Sequence, residues 1–291
     1  MARVRDIKNR IRSVSNTKKI TRTMELVATA KAKSAVDRIE GAIPYFEALG
    51  EIASEARGQG GVIAHALLEA REVKRVAVLV IVANRGLCGG YNSSVLRQAR
   101  DHRLALLEQG VEVTLIPSGG KAFSWLNYQN VPYDQDGYRQ FEDKPAFVEV
   151  EKVAARLMKM FETGEVDQVD VCYTHFFSSG RQGPVTHTVL PLARPDEGDE
   201  VAVDQDNDYT IEPDPASILD ALFPLQVKLD LFRAYLSAAA SEQIARRIAM
   251  KNATDNAEDL VKNLKMLYNR LRQSQITKEI LEVIGGAEAL D

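Results

Sequence analysis

The sequence predicts an α/β protein: a long antiparallel coiled coil made by the N- and C-terminal helices, with an α/β domain inserted between them. Three observations predict it. Apolar residues repeat at alternating steps of four and three at both ends of the chain. In the middle, short apolar runs alternate with helical patterns. An acidic stretch separates that middle from the C-terminal repeat. The expected boundaries are 1–57 and 214–291 for the coiled-coil shaft, 74–192 for the α/β domain and 193–213 for an acidic connecting loop.

Residues 3–57 read as one helix. Its seam runs Ile7, Ile11, Val14, Lys18, Thr21, Glu25, Ala28, Ala32, Ala35, Ile39, Ala42, Phe46, Leu49 and Ala53. That is a heptad pattern, because two apolar positions per seven residues keep one stripe facing a partner helix. Lys18, Thr21 and Glu25 interrupt it, while Ile20, Met24 and Val27 lie on a neighbouring face. The expectation is that the helix changes its packing face there. Gly41 and Pro44 are expected to bend it, since proline removes a backbone donor and crowds the preceding turn. The glycines of RGQGG (57–61) are expected to end it.

The middle has another rhythm. KRVAVLVIV (74–82) and VEVTLIPSG (111–119) read as buried strands, and NSSVLRQARDHRLALLEQG (92–110) as an amphipathic helix ending in glycine. SGGKAFSWL (118–126) starts a second helix, and AFVEVEKVAARLMKMFETG (146–164) is a third. DQVDVCYTHFFS (167–178) and GPVTHTVLPL (183–192) read as antiparallel neighbours at one edge. Strand–helix alternation of this kind implies a small, mostly parallel, Rossmann-like sheet with helices on its faces.

At the C-terminal end, Asp214 before Pro215 suits an N-cap with proline at the first helical position. The seam from Ile218 passes through Leu222, Leu225, Leu229, Phe232, Leu236, Ala239, Gln243, Arg246, Met250, Ala253, Ala257, Leu260, Leu264, Leu267, Leu271 and Ser274. At 1.5 Å per residue this helix would be about 100 Å long. Pro224 is expected to kink it near its start, and Gly285-Gly286 to end or fray it. Alanines in the N-terminal seam allow close approach of the two helices. A compact enzyme has no need of such a shaft, so the pattern points to a bridging or mechanical role.

Composition narrows the function classes. The chain has 291 residues, 45% hydrophobic and 27% charged, as in soluble globular proteins. No apolar run approaches the ~20 residues of a membrane span. The start is Arg-rich and amphipathic but has no signal-peptide core. The helical pattern continues smoothly through it, so no separate leader is expected, which favours a bacterial protein. The two cysteines, Cys88 and Cys172, make no disulfide or metal pattern and suit a reducing compartment. Residues 1–38 hold 11 basic and three acidic side chains, whereas 196–214 hold nine acidic and no basic ones. A basic arm suits nucleic acid, an anionic membrane or an acidic protein. A basic coiled-coil nucleic-acid binder is the alternative reading, but the arm has no aromatic residue before Tyr45 on which to stack bases.

The loop in VIVANRGLCGGYNSSV (80–95) has the layout of a phosphate loop: strand, glycines, helix. It lacks the rest. A P-loop needs a lysine followed by Ser or Thr after its last glycine. A dinucleotide loop needs GxGxxG and an acidic residue about 20 positions on. Neither is present, and Cys88 has no histidine near it in sequence, so the loop reads as a strand-end turn or a partner contact. DQDNDYTIEPD (204–214) has acidic pairs but not the glycine or distal glutamate of a calcium loop. No cofactor, metal or catalytic residue is expected.

Three stretches together resemble one family: IKNRIRSVSNTKKITRTMELVATAKAKSA, NRGLCGGYN and SEQIARRIAMKNATDNAEDLVKNL…YNRLRQSQITKEILEVIGGAEAL. In order and over nearly the whole chain, they are similar to the gamma subunit of F-type ATP synthases. The resemblance implies a non-catalytic rotor shaft, present once per complex, with partners in the alpha and beta subunits, the epsilon subunit and the c-subunit ring. It implies association with the cytoplasmic face of a bacterial plasma membrane through those partners only, and no nucleic acid. It also implies residue roles. Arg246, Gln273, Thr277 and Glu279 match positions that contact catch loops of beta. Lys18, Lys19, Arg22 and Met24 match a stretch facing acidic loops of beta, and Arg85 and Cys88 fall in a loop near that collar. Tyr209, Glu212 and Asp214 lie where the family meets the c ring.

Overall fold

The structure, a computed structural model, describes residues 2–60, 65–139, 144–192 and 215–288. Two long helices bracket it: α1, Ala2–Gly60, and α5, Pro215–Glu288. Between them lie β1 (Arg75–Ile81), α2 (Tyr91–Glu108), β2 (Glu112–Ser118), α3 (Gly120–Gln129), α4 (Phe147–Glu162), β3 (Gln168–Ser178) and β4 (Arg181–Leu190). A short 3-10 helix, Ala66–Leu68, precedes β1 and has no counterpart in the periodicity. α1 runs past Arg57 to Gly60, and Pro44 and Pro224 lie inside continuous helices. Pro215 is the first residue of α5, as its lack of an N–H allows; Asp214 is outside the described residues.

The chain divides into two compact units, Ala30–Ala245 and Met1–Thr29 with Arg246–Asp291. In the first, the sheet has the order β2-β1-β3-β4. β1 is parallel to both β2 and β3, and β4 closes one edge antiparallel to β3. Parallel strands are covered on both faces, so β1 is apolar from Val76 to Ile81 rather than alternating. Val76, Val78 and Val80 pack under α2 and α3 with Val95, Leu96 and Leu126. Ala77, Leu79 and Ile81 face α4 and α5. On that side Leu219, Phe223, Val227, Leu231, Ala234 and Ala238 of α5 meet Val153, Leu157 and Phe161 of α4. The first part of α5 is therefore a wall of the α/β core as well as a heptad-patterned helix.

Polar groups in this core are paired. Tyr235 Oη and Ser118 Oγ are 2.9 Å apart, and burial pushes the phenol pKa up, so it stays neutral. Asp170 is fully buried on β3, where His102 Nε2 lies 2.7 Å from its carboxylate. Gln168 Nε2 and Thr188 Oγ1 donate to the same carboxylate. A buried carboxylate is tolerated only with such partners.

The second unit pairs the two ends of the chain. Thr21 and Thr254 hydroxyls are 2.8 Å apart, and Lys18 Nζ is 3.0 Å from Glu258 Oε2. Moving back along α1 thus moves forward along α5, so the two segments are antiparallel.

Two sequence expectations are corrected here. The seam of α1 does not change face: Lys18, Thr21 and Glu25 keep the inward positions, with Thr21 buried. Ile20 and Val27 are instead 61% and 50% exposed. Hydrogen bonds and ion pairs let polar residues hold inward sites that the apolar pattern vacates. In α5 the inward row is Met250, Thr254, Ala257, Val261, Leu264, Tyr268, Leu271 and Gln275. Leu260 and Leu267, expected in the seam, are 40% and 44% exposed. Met250, Ala257, Leu264 and Leu271 belong to both rows, and every second position between them lies one residue further on than expected. With Leu or Val on both candidate rows, periodicity could not choose between them.

Candidate partner interface

Within the paired unit, the N-terminal candidates share one short stretch of α1. Lys18 is half-exposed and held by Glu258. Arg22 Nη1 lies 2.9 Å from both carboxylate oxygens of Glu25, one turn ahead. Lys19 is exposed and makes no ion pair among the described residues. Met24 is half-buried. Two of the three cations in this stretch, Lys18 and Arg22, are thus paired within the chain, and Lys19 is the third, unpaired among the described residues.

On α5, Arg246 is half-buried and has internal interactions of its own. Gln273 and Thr277 are exposed and one turn apart, and the Thr277 hydroxyl donates to the Gln273 carbonyl at 3.0 Å. Glu279 is exposed and accepts from Gln275 Nε2 at 2.9 Å. The Thr277 and Glu279 side chains are held by their own helix, with exposed Gln273 one turn before Thr277. From Ile276 onward the exposed face turns apolar, with Ile280, Leu281, Val283 and Ile284 between 52% and 73% exposed. That surface has no cover within the described residues.

In the α/β unit, Arg85 and Cys88 lie in the turn between β1 and α2. Leu87 and Gly89 have φ of 65° and 58°, which tightens the turn. Arg85 is exposed; Cys88 is buried with Ala83 and Tyr91. Asn92 ties the turn down. Its Oδ1 accepts from Ala83 N at 2.9 Å, and its Nδ2 points to Cys88 Sγ at 3.1 Å. Tyr91 Oη donates to the Ala238 carbonyl of α5 at 3.1 Å. Sequence reasoning missed Asn92, Thr254 and Glu258. A polar residue in the first turn after a glycine loop was the one available sign of the first; the other two needed the register of the helix pair.

This geometry answers the phosphate-loop question. In open parallel sheets, ligands sit outside the carboxyl ends of the strands. Here Tyr235, Ala238, Ala239 and Glu242 of α5 cross that end and leave a cavity of about 30 Å³ beside Ser118 and Asn84. That is room for about one water. Among the described residues no cluster of His, Cys, Asp and Glu could hold a metal. No helix among them is long and apolar enough to cross a membrane. Tyr209 and Glu212 lie outside the described residues.

A family model described as ATP synthase matches residues 3–290. The ATP synthase gamma chain of Rhodopirellula baltica is 44% identical over the full length of both chains, and that of Leptospira biflexa 42%. The chain belongs to the ATP synthase gamma chain family. Solved structures agree in fold. Chains in cryo-EM structures of the Euglena gracilis mitochondrial ATP synthase superpose with TM-scores of 0.62 and 0.64 at 19% identity. They cover 94% and 99% of this chain and 99% and 95% of their own.

The Lys18–Glu258 contact has a pH signature. The hydrogen bond and charge of Lys18 hold the Glu258 carboxyl below its ordinary pKa of 4.5. A depressed folded pKa contributes stability that is present above the unfolded value and lost as pH falls through the folded one. Melting of the helix pair, followed by circular dichroism, is expected to become easier below about pH 4.5. Lys18→Gln is expected to flatten that dependence.

Proposed function

We propose that this chain is the central rotor shaft of an F-type ATP synthase. It couples ion-driven rotation of a c-subunit ring to ATP synthesis or hydrolysis at beta-subunit sites, and carries out no chemistry itself. The observation that supports it most is the antiparallel pairing of segments from helices 59 and 74 residues long, in a chain of the gamma family. The described surface offers polar and apolar contact faces. The complex would sit on the cytoplasmic face of a bacterial membrane, reached through partners: alpha and beta around the helix pair, epsilon and the c ring at the α/β domain. Lys18, Lys19, Arg22, Arg246, Gln273, Thr277 and Glu279 would meet beta, with Arg85 and Cys88 in a loop near the same collar. A positive face against acidic loops attracts without locking one register, as a turning contact requires.

The test is co-expression with alpha and beta subunits and native mass determination. One copy of this chain with three alpha and three beta, with ATPase activity that alpha and beta alone lack, is the expected result. A chain that stays alone would overturn the reading.

Met24→Lys adds a cation one residue before Glu25, whose carboxylate is already engaged by Arg22. The new ammonium would turn to acidic groups of beta and hold the rotor. Hydrolysis is expected to continue while proton pumping per ATP falls severalfold in membrane vesicles. Unchanged pumping would refute this.

A further inference from the structure

A groove of about 580 Å³ opens in the α/β unit between α1, the end of β3 and α5. Its volume falls within the range of roughly 300–1,000 Å³ typical of small-molecule sites. Ile39, Ile43, Phe46, Phe177 and Leu236 form its apolar walls. Ile43 and Phe177 are 40% and 51% exposed, so part of that surface is left to water. The polar half of the lining is Glu40, His175, Ser178, Ser179, Arg233 and Ser237. Arg233 lines the groove from α5, and its guanidinium makes no hydrogen bond or ion pair among the described residues. Asp230, one turn earlier, is close enough to feel its charge, and burial raises the Asp230 pKa. His175 is held by Tyr173 Oη at 3.1 Å. Burial and the charge of Arg233 lower its pKa, so it adds no positive charge at neutral pH. Glu40 lines the groove from α1.

We propose that this groove binds a small amphipathic monoanion, a carboxylate or sulfonate with an aromatic or alkyl body. The anionic group sits on Arg233 and the body lies against Ile43, Phe46 and Phe177. Arg233 is exposed at the edge of the groove, and its guanidinium offers paired donors to such a group. Glu40 repels a second negative charge and limits the ligand to one. No such ligand follows from the rotor assignment, and the inference stands or falls apart from it.

The experiment is a fluorescence titration of the full chain with 1-anilinonaphthalene-8-sulfonate, with decanoate as competitor. Arg233→Gln is expected to weaken dye binding about tenfold, Glu40→Gln to tighten it, and decanoate to displace the dye. Ile43→Gln, at an exposed position that the fold tolerates, is expected to weaken binding through lost apolar contact and serves if Arg233→Gln does not fold. Equal affinity in wild type, Glu40→Gln and the weakening variants, or no displacement by decanoate, overturns the proposal, because the dye would then be reading other apolar surface.

Discussion

Val261→Asp is expected to open the paired helices, whereas Leu260→Asp leaves them closed. Val261 lies in the inward row between Ala257 and Leu264, while Leu260 is 40% exposed. A carboxylate in that row replaces an apolar inward side chain, and burying it costs about 2–3 kcal/mol. On the outer face the same change costs within about 0.5 kcal/mol. Thermal unfolding of the full chain followed by circular dichroism separates the two. A larger loss from Leu260→Asp would place the seam where periodicity alone puts it and refute the register seen here. In the assembled complex Val261→Asp is expected to abolish coupling, because an opened pair transmits no torque.

Gly119→Ala is expected to prevent folding of the α/β unit. Gly119 ends β2 with φ of 99°, and a Cβ there would lie 2.0 Å from the carbonyl oxygen of Val82. The obstacle is backbone of the neighbouring strand end, not a side chain that can swing away. Val82 N donates to Ser118 O, Gly119 N to Tyr138 O and Lys121 N to Ala83 O, so no segment can move without breaking another bond. The cost is above about 4 kcal/mol. Gly110 supplies the comparison: its φ is 79°, but nothing lies within 4 Å of its would-be Cβ. Gly110→Ala is expected to cost only about 1 kcal/mol, by chemical denaturation of each variant. Similar losses at both glycines would show that conformation, not crowding, sets the requirement at Gly119.

Much of the fold was legible. β1, β2 and the edge pair β3–β4 were each marked by apolar runs of strand length, and α2 and α4 by period and by the glycines that end them. The first part of α5 was less so. Tyr235, Ala238 and Leu231 face the sheet core while Leu222, Leu229 and Leu236 continue the heptad row. A helix buried on several faces shows no single stripe, and a seven-residue repeat can be traced through it in more than one phase. The candidate contacts were legible as residue types in matched stretches, not as geometry. Nothing in the order of residues says that Lys18 meets Glu258 or that Arg22 is already spent on Glu25.

The sequence by itself determined the two heptad-patterned ends, the strand–helix alternation between them and membership in one family, because these depend on local periodicity and on runs of residues read in order. Only the tertiary structure decided which row of α5 turns inward, that polar Thr21 and Thr254 fill an interior layer, and that α5 closes the strand-end crevice where a nucleotide would lie. Those outcomes depend on the register of one segment against another more than 200 residues away. Register is a property of the pair: each side chain's burial depends on what the other helix or the sheet places against it.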